Sequence, residues 1–362
     1  MQYPMVVGLV GLGIGLSSVT YADKVAYPSF EYKDWQIVCD NTRTCRAAGY
    51  SAEEASNRVS ILLTRKAGVG QDVSVKVKFS DISDDGSTIN EPHIITLNIN
   101  NHSYGVIGKV ISTEDRAHSL NKTQTDALTK ALKGTSTITF IGEGKEWVLS
   151  GNGAAATLLK MDDIQGRVGT PSALIKKGAK SEDSVLPALA QPVIHQQPIP
   201  KEEPKLWQSK IDWNILKKEL LRDKTFEDDD RCELLTEKDT NLGKFEPHVV
   251  AVLSHKRLLV SGLCWRAAYN EGYGYWIIQQ QQPYKPQLIT TMADVTLEGD
   301  FKKNNTIDSF MKGRGLSDCI SRMSWVWDGE NFVKTYDGNS GMCRMITLGG
   351  AWDLPSYIAK VQ

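Results

Sequence analysis

Two segments of the sequence match the pattern S-x-x-K, in which a lysine shortly after a serine can accept the serine proton in penicillin-recognising enzymes. They run from Ser119 to Lys122 and from Ser309 to Lys312. Neither is followed by the K-T-G or S-D-N partner that this chemistry needs. Ser119 also stands just before a predicted helix, where Ser and Asn are favoured as caps. We therefore assign no catalytic residue and expect binding rather than catalysis.

Metal and cofactor motifs are also missing from the sequence. The acidic runs at 81–85 and 228–230 lack the alternating carboxylates, the glycine and the later glutamate of a calcium loop. The pair Gly151 and Gly153 lacks the third glycine of a dinucleotide-binding fingerprint. The six histidines are scattered, without an H-x-x-x-H spacing. The sequence therefore predicts no metal ion and no cofactor.

Aromatic residues accumulate in the carboxyl-terminal half, which holds seven of the nine tryptophans. The candidates for a ligand-binding face are Trp265, Tyr273, Tyr275, Trp276, Trp325 and Trp327. Strand alternation would place Tyr273 and Tyr275 on one face of a sheet and Trp276 on the other. Exposed aromatic rings could stack on sugar rings or capture a peptide. The alternative is that they fill the core of a small β domain, which aromatic side chains do efficiently.

The first residues indicate export. Residues 5–19 form an apolar run, and Thr20 and Ala22 fit the −3 and −1 positions of a signal peptidase site. We expect residues 1–22 to be a cleaved signal peptide and the protein to be periplasmic or secreted, with no membrane span after cleavage. The residues before the apolar run carry no Lys or Arg, which departs from the usual signal peptide. A net charge of −1 argues against a nucleic-acid partner.

Export makes disulfide bonds possible, and the sequence has an even number of cysteines. They are Cys39, Cys45, Cys232, Cys264, Cys319 and Cys343, and no pair is spaced as C-x-x-C. If bonds stay within each half of the chain, Cys39 pairs with Cys45. The four cysteines of the other half can then be paired in three ways. Of these we favour Cys232–Cys264 with Cys319–Cys343, because the second bond would close the base of a predicted hairpin. The crossed pairings remain alternatives.

A proline-rich stretch divides the chain. Five of the 13 prolines lie between Pro187 and Pro204. We expect an amino-terminal domain at 23–178, an extended linker at 179–205 and a carboxyl-terminal domain at 206–362. Limited proteolysis should then cut the linker and leave two folded fragments.

Local patterns within each half are mostly those of strands. Apolar residues alternate with Ser and Lys from Val73 to Phe79, as in a strand with one buried face. Helices are predicted after Asn121, over 154–165 and after Asp212. The other predicted strands are 34–39, 59–65, 94–99, 105–111, 136–141, 146–150, 249–253, 257–265, 273–278 and 288–292, with a hairpin over 324–336. The expected fold is mainly β (α+β): two antiparallel β-rich domains with a few helices, stapled by disulfides.

Several stretches together resemble a bacterial exported family catalogued as domain of unknown function 1176. They are DWQIVCDNTRTCRAAGY, ILLTRKAG, GNGAAATLLKMDDIQGRVGTPSALIKKG, LCWRAAYNEGYGYWII, GRGLSDC, WVWDGENF and GGAWDLPSYIAKV. The amino-terminal half resembles, more weakly, the invasion-associated locus B family. The first resemblance implies an exported protein of Gram-negative bacteria. It implies no chemistry and no functional residue.

These observations predict an exported, disulfide-stabilised binding or envelope-interaction module without catalysis. Its partner would be an envelope protein or a glycan that the sequence does not identify. The alternative function is a periplasmic hydrolase acting on cell-wall or glycan material. A third possibility is a structural or assembly partner, which would present a large apolar patch.

Overall fold

The computed structural model describes residues 29–83, 87–89, 94–110, 116–222, 232–236, 243–294, 301 and 305–362. The predicted signal peptide lies outside the described residues, as do residues 84–86 and 223–231, which hold most of the two acidic runs. No helix within the described residues combines the length and the apolar character needed to cross a membrane.

The amino-terminal half is mostly strands. They are β1 (Ser29–Tyr32), β2 (Trp35–Cys39), β3 (Cys45–Tyr50), β4 (Val59–Arg65), β5 (Val73–Phe79), β6 (Thr96–Ile99), β7 (His102–Val106), β8 (His118–Ser119), β9 (Ile138–Gly142) and β10 (Lys145–Leu149), with helices α1 (Lys122–Ala131) and α2 (Ala154–Ile164). One antiparallel sheet has the order β1-β2-β3-β4-β5-β8, and a second has the order β10-β9-β6-β7.

The inner faces of these two sheets share one core. Trp35, Ile61 and Val77 of the first sheet belong to the same buried cluster as Phe140 and Trp147 of the second. The predicted alternation in β5 is confirmed, because Val75, Val77 and Phe79 are buried while the lysines between them face outward. This half is therefore a two-layer β arrangement with two helices.

Two local differences from the predicted elements have physical reasons. The strand predicted at 105–111 is observed at His102–Val106, because Asn100 and Asn101 both adopt positive φ and form a two-residue hairpin turn. The predicted turn before α2 is present. Gly153 has φ 98°, and a side chain there would also collide with the Tyr32 carbonyl.

The carboxyl-terminal half repeats the β-rich pattern after a stretch of irregular chain. Its elements are β11 (Val193–Ile194), α3 (Lys205–Gln208), α4 (Trp213–Leu220), α5 (Glu233–Thr236), β12 (His248–Val252), β13 (Arg257–Arg266), β14 (Glu271–Gln279), β15 (Gln287–Ala293), β16 (Thr306–Lys312), β17 (Ile320–Trp327), β18 (Phe332–Asn339), β19 (Leu354–Ile358) and β20 (Lys360–Val361). Two antiparallel sheets have the orders β12-β13-β14-β15 and β16-β17-β18-β19. The short strands β11 and β20 form a parallel pair. The mainly β class is therefore confirmed, with this small parallel pair as an addition.

Three disulfides join Cys39 to Cys45, Cys232 to Cys264 and Cys319 to Cys343. These are the pairs favoured from the sequence. The first links neighbouring strands β2 and β3, the second ties the residue before α5 to β13, and the third connects the residue before β17 to the segment after β18. Each bond lies within one half of the chain.

The proline-rich segment is extended and touches both halves. The Leu186 N–H donates to the Gln165 carbonyl, and the Leu186 carbonyl accepts from the Gly68 N–H, both in the amino-terminal half. The Gln197 N–H donates to the Trp327 carbonyl of the other half. The segment also contains a short 3₁₀ turn at Glu182–Ser184. Its role as a linker between two domains stays a prediction. The observed segment is hydrogen-bonded to both halves of the chain.

A second contact between the halves covers the outer face of the first sheet. Val38, Tyr50 and Leu62 form one buried cluster with Trp352 and Leu354. Two further hydrogen bonds, each 2.9 Å, join the Asn41 side chain to the backbone of Ile358. As a result, strands β2, β3 and β4 are buried on both faces.

Candidate ligand-binding cleft

The aromatic residues singled out from the sequence are mostly buried. Tyr275 and Trp276 have 1% and 0% of their surface exposed, and Trp325 and Trp327 are buried as well. The two faces of β14 pack into two different hydrophobic clusters, so Tyr275 on one face and Trp276 on the other are both buried. These four side chains fill cores, which is the alternative interpretation given above, and no ligand can reach them in this structure.

Trp265 and Tyr273 are the half-buried members of the set. The Nε1 of Trp265 donates a hydrogen bond to the Thr291 carbonyl at 3.0 Å. Both side chains also pack against the cluster that contains Trp276. The six residues therefore do not form a continuous aromatic surface.

The two S-x-x-K segments lack the geometry of a nucleophile. Ser309 is buried in β16 and donates its hydroxyl hydrogen to the Met292 carbonyl, and Lys312 lies three residues on in the same strand. Strand alternation sends positions i and i+3 to opposite faces. Ser119 ends β8 and Lys122 begins α1. Neither pair lies on one face of a helix.

One group of possible metal ligands occurs within the described ranges, formed by Asp318, Cys319 and Cys343. Both sulfur atoms are joined in a disulfide. The Asp318 carboxylate accepts two hydrogen bonds from Arg314 at 2.6 Å and one from the Met345 N–H at 2.7 Å. The group is explained by these bonds and gives no support for a metal site.

The candidate binding site is a cleft of about 690 Å³ in the amino-terminal half. Its size is in the range of small-molecule sites. It lies between α1, the start of β5, the end of β4 and the loop after α2. The lining residues are Arg65, Asp72, Val73, Ser74, Leu120, Lys122, Thr125, Asp126, Thr129, Lys130, Lys133, Ser172, Ala173, Leu174 and Lys177. Five of these side chains are cationic and two are carboxylates, in a protein whose net charge is −1.

Arg65 is the buried charge of this cleft, with 5% of its surface exposed. Its Nε donates to the Gln71 carbonyl at 3.0 Å. Its Nη1 lies 3.6 Å from Oδ1 of Asp162, which is too far for a hydrogen bond. Neither atom has a hydrogen-bond partner within the described part of the chain. Nη1 of Arg65 and Oδ1 of Asp162 therefore form a buried ion pair that is shielded from solvent and contains no hydrogen bond.

Burial disfavours the charged forms of both members of this ion pair, Arg65 and Asp162. It lowers the pKa of Arg65 to about 10, and the neighbouring Arg167 guanidinium contributes to that decrease. It raises the pKa of Asp162, although the N–H groups of Leu174 and Ile175 donate to Oδ2 at 2.7 and 2.9 Å and oppose the rise.

A hydrogen-bond network fixes the loop that carries part of the lining. Arg167 is fully buried and donates to the side chains of Gln165 and Ser172 and to the carbonyls of Lys66 and Gly68. Ser172 in turn donates to Glu182 through both its N–H and its hydroxyl. These contacts hold residues 172–177 against the end of β4.

Helix α1 forms the opposite wall. The side chain of Asn121 accepts from the Gln124 N–H at 2.9 Å, and the Gln124 side chain accepts from the Asn121 N–H at 3.0 Å, so both halves of a capping box are present. The predicted cap is thus confirmed. The exposed face of this helix carries Lys122, Asp126 and Lys130 toward the cleft. Lys122 and Asp126 form an exposed ion pair at 3.0 Å.

Sequence reasoning missed this cleft. Lysines on the outer face of a helix are typical of solvated surfaces, and Arg65 ends an apolar strand without any distinctive spacing. The available signal was a charged residue at position 65, on the face of β4 that otherwise holds Val59, Ile61 and Leu63. A charge is almost never fully buried without a partner.

Comparisons with known proteins identify a family but no activity. The family model described as "Protein of unknown function (DUF1176)" matches residues 29–359. A relative from Escherichia coli (strain K12), described as "Uncharacterized protein YpfG", is 25% identical over 331 residues, which cover 83% of this chain and 84% of the relative. No solved structure matches the chain. The weaker resemblance to the invasion-associated locus B family is not shown by these matches.

Proposed function

The chain belongs to the DUF1176 family, and we propose that it is an exported, disulfide-stabilised binding module of the cell envelope whose ligand is anionic. The observation that carries this proposal is the cleft itself, which is lined by Arg65, four lysines and only two carboxylates. Such an arrangement attracts negative charge and offers hydrogen-bond donors to it.

Export is supported by the disulfides and by the predicted signal peptide. All six cysteines are paired, and stable disulfides form in oxidising compartments such as the periplasm. The three bonds serve structure, because each joins segments already held by strands or helices. Envelope material is rich in anionic groups that a cationic cleft could bind.

Binding is favoured over hydrolysis by the kind of groups that line the cleft. Its polar side chains are cations, hydroxyls and two carboxylates, Asp72 and Asp126. Asp126 is ion-paired to Lys122, which disfavours a role as a general base. Thr129 donates its hydroxyl hydrogen to the Thr125 carbonyl and so is already engaged. The side chains of the cleft can therefore attract a ligand by charge and donate hydrogen bonds to it.

The experiment compares two charge-matched variants of the purified, disulfide-bonded protein. Lys130→Gln with Lys133→Gln removes two charges from the cleft, whereas Lys218→Gln with Lys256→Gln removes two exposed charges from the other half. The probes are pyrophosphate, trigalacturonate and the neutral sugar cellotriose, measured by calorimetry. We expect the two anions to bind, and the cleft variant alone to lose at least tenfold in affinity. Equal losses in both variants, or equal binding of cellotriose, would contradict the proposal.

A further inference from the structure

The first residues of the proline-rich segment are docked on the amino-terminal half. The N–H and the carbonyl of Leu186 are both hydrogen-bonded to that half, and the Arg43 guanidinium donates to the Pro187 carbonyl at 2.9 Å. Val185 is buried. The segment predicted as a linker therefore begins as a packed part of the half that contains the cleft.

Glu182 connects this docked segment to the loop at 172–177. One oxygen of its carboxylate accepts from the Ser172 N–H at 2.7 Å, and the other accepts from the Ser172 hydroxyl at 2.8 Å. The Ser172 hydroxyl lowers the pKa of the Glu182 carboxyl below its usual value, so the acceptor is ionised at neutral pH. Hydrogen bonds to an ionised carboxylate are stronger than those between neutral groups.

The loop at 172–177 forms one wall of the cleft, to which it contributes Ser172, Leu174 and Lys177. It contains no helix or strand, so its position depends on hydrogen bonds to other parts of the chain. Asp162 accepts from the N–H groups in the middle of the loop, and Glu182 accepts from Ser172 at its start. Loss of the Glu182 contact would release the start of this wall.

The same segment continues to the carboxyl-terminal half. The Gln196 N–H donates to the Gln362 carbonyl at 2.8 Å. The Gln197 N–H donates to the Trp327 carbonyl, also at 2.8 Å. A displacement of the other half, or a partner that binds the segment, would therefore pull on the part of the chain that carries Glu182.

From these contacts we infer that Glu182 is a positioning residue through which the proline-rich segment regulates the cleft. With the segment docked, Glu182 holds the loop at 172–177 and the cleft binds its anion. With the segment released, the loop loses this acceptor and the affinity falls. Such coupling is reciprocal, so a bound anion favours the docked segment by the same factor. This inference rests on the proposed function and adds the regulation of its site.

The sign of the effect separates positioning from simple electrostatics. Glu182 is negatively charged and lies beside a cationic cleft, so removal of its charge alone would increase the affinity for an anion. Positioning predicts a decrease, because the wall is released. Asp183 provides the matched control, since it is an exposed carboxylate one residue away that accepts from the Ser181 hydroxyl at 2.9 Å.

The first measurement is the affinity of the full, disulfide-bonded chain for pyrophosphate by calorimetry. Glu182→Ala should lower it at least about fivefold, a coupling at the lower end of the usual range. Asp183→Ala should leave it unchanged or raise it. Glu182→Gln keeps a carbonyl acceptor for Ser172 and should restore part of the loss. This variant also carries the test if Glu182→Ala does not fold, which circular dichroism would show.

The second measurement is the hydrogen exchange of residues 182–190 with and without saturating pyrophosphate. The amide groups of Leu186 and Leu189 should exchange more slowly with the ligand in the unaltered protein and in Asp183→Ala, but not in Glu182→Ala. A merely structural role for Glu182 would not make this exchange depend on the ligand.

The outcomes distinguish the two proposals. If pyrophosphate binds but Glu182→Ala and Asp183→Ala have equal affinities, or if the exchange of the segment ignores the ligand, the regulation is wrong while anionic binding stands. If the unaltered protein binds no anion, the proposed function is wrong and the regulation fails with it.

Discussion

The indole Nε1 of Trp352 donates a hydrogen bond to the hydroxyl of Ser60 at 2.7 Å, and the two buried residues are 292 positions apart in the chain. The ammonium group of Lys78 lies 5.0 Å from the centre of the indole ring on the same surface. This contact joins the carboxyl-terminal segment to the outer face of the first sheet.

Replacing Trp352 should reveal the strength of this contact. Trp352→Ala should lower the free energy of unfolding by about 3–5 kcal/mol, because it empties a buried aromatic site. Trp352→Phe retains an aromatic ring and loses the hydrogen bond to Ser60, so about 1 kcal/mol is expected. Urea unfolding followed by circular dichroism measures both. Trp207→Phe, at a partly exposed tryptophan, serves as the control and should change little.

The same series tests the predicted division into two domains. If the halves are independent, wild-type unfolding shows two transitions, and Trp352→Ala leaves the amino-terminal transition in place. If the halves form one cooperative unit through Trp352, a single transition moves as a whole. Cleavage within 179–205, followed by separate purification of the fragments, distinguishes these results further.

The three disulfides should differ in their contribution to stability. In the chain-entropy model, the bond between Cys232 and Cys264, 32 positions apart, contributes about 4 kcal/mol, and the bond between Cys39 and Cys45 contributes about 2 kcal/mol. We expect the variant with Ser at both 232 and 264 to unfold at a clearly lower temperature than the variant with Ser at both 39 and 45. Calorimetry measures both, and a larger loss at Cys39–Cys45 would contradict the model.

Asp162 should be important for stability, whereas its neighbour Asp163 should not. Asp162→Asn leaves the buried Arg65 guanidinium without a compensating charge, so a loss of about 3–5 kcal/mol is expected. Asp163 pairs with Lys160 on the surface, and Asp163→Asn should cost less than about 1 kcal/mol. Urea unfolding of the two variants gives the comparison. Similar losses of unfolding free energy in the two variants would show that the buried ion pair contributes no more to stability than the surface pair.

Asp294 should make the stability depend on pH. Burial raises the pKa of its carboxyl from 3.8 to about 6; the Phe310 N–H opposes the rise, and the nearby Asp308 and Glu271 add to it. The folded protein therefore holds this proton more tightly than the unfolded chain, and stability falls as the pH increases between about 4 and 6. Asp294→Asn should raise stability at pH 7 by on the order of 1 kcal/mol, since the group is partly exposed. Unfolding curves from pH 4 to 8 test this, and parallel profiles for the variant and the unaltered protein would exclude it.

Export gives a prediction about the amino terminus. If residues 1–22 are a signal peptide, the protein recovered from the periplasm should begin at Asp23. Intact-mass spectrometry of the fractionated protein measures this terminus. Recovery of a chain that retains Met1, from the cytosol and with reduced cysteines, would remove the basis for both export and the disulfide argument.

Elements defined by neighbouring residues were predictable from the sequence. The capping box of Asn121 and Gln124 lies within one helical turn, and the alternation in β5 is visible over seven residues. The hairpin turn at Asp328 is equally local, because its side chain accepts from the N–H groups of Glu330 and Asn331. Such signals need no knowledge of the rest of the fold.

Features produced by distant segments were not predictable in this way. Strand β3 shows no alternation because Trp352 and its neighbours cover its second face. The cleft assembles side chains from β4, β5, α1 and the loop after α2, and no spacing along the chain connects Arg65 with Lys130 or Lys177. The aromatic residues illustrate the same limit, since only the packing of the sheets decides that Trp276 is buried.

The long separation between Ser60 and Trp352 also concerns the order in which the chain is made. A ribosome synthesises the first sheet well before residues 346–354, so the outer face that carries Val38, Tyr50 and Leu62 is uncovered during that interval. An apolar face that waits for its cover is prone to aggregation. The nascent protein therefore passes through an aggregation-prone stage, which ends when residues 346–354 are made and cover this face.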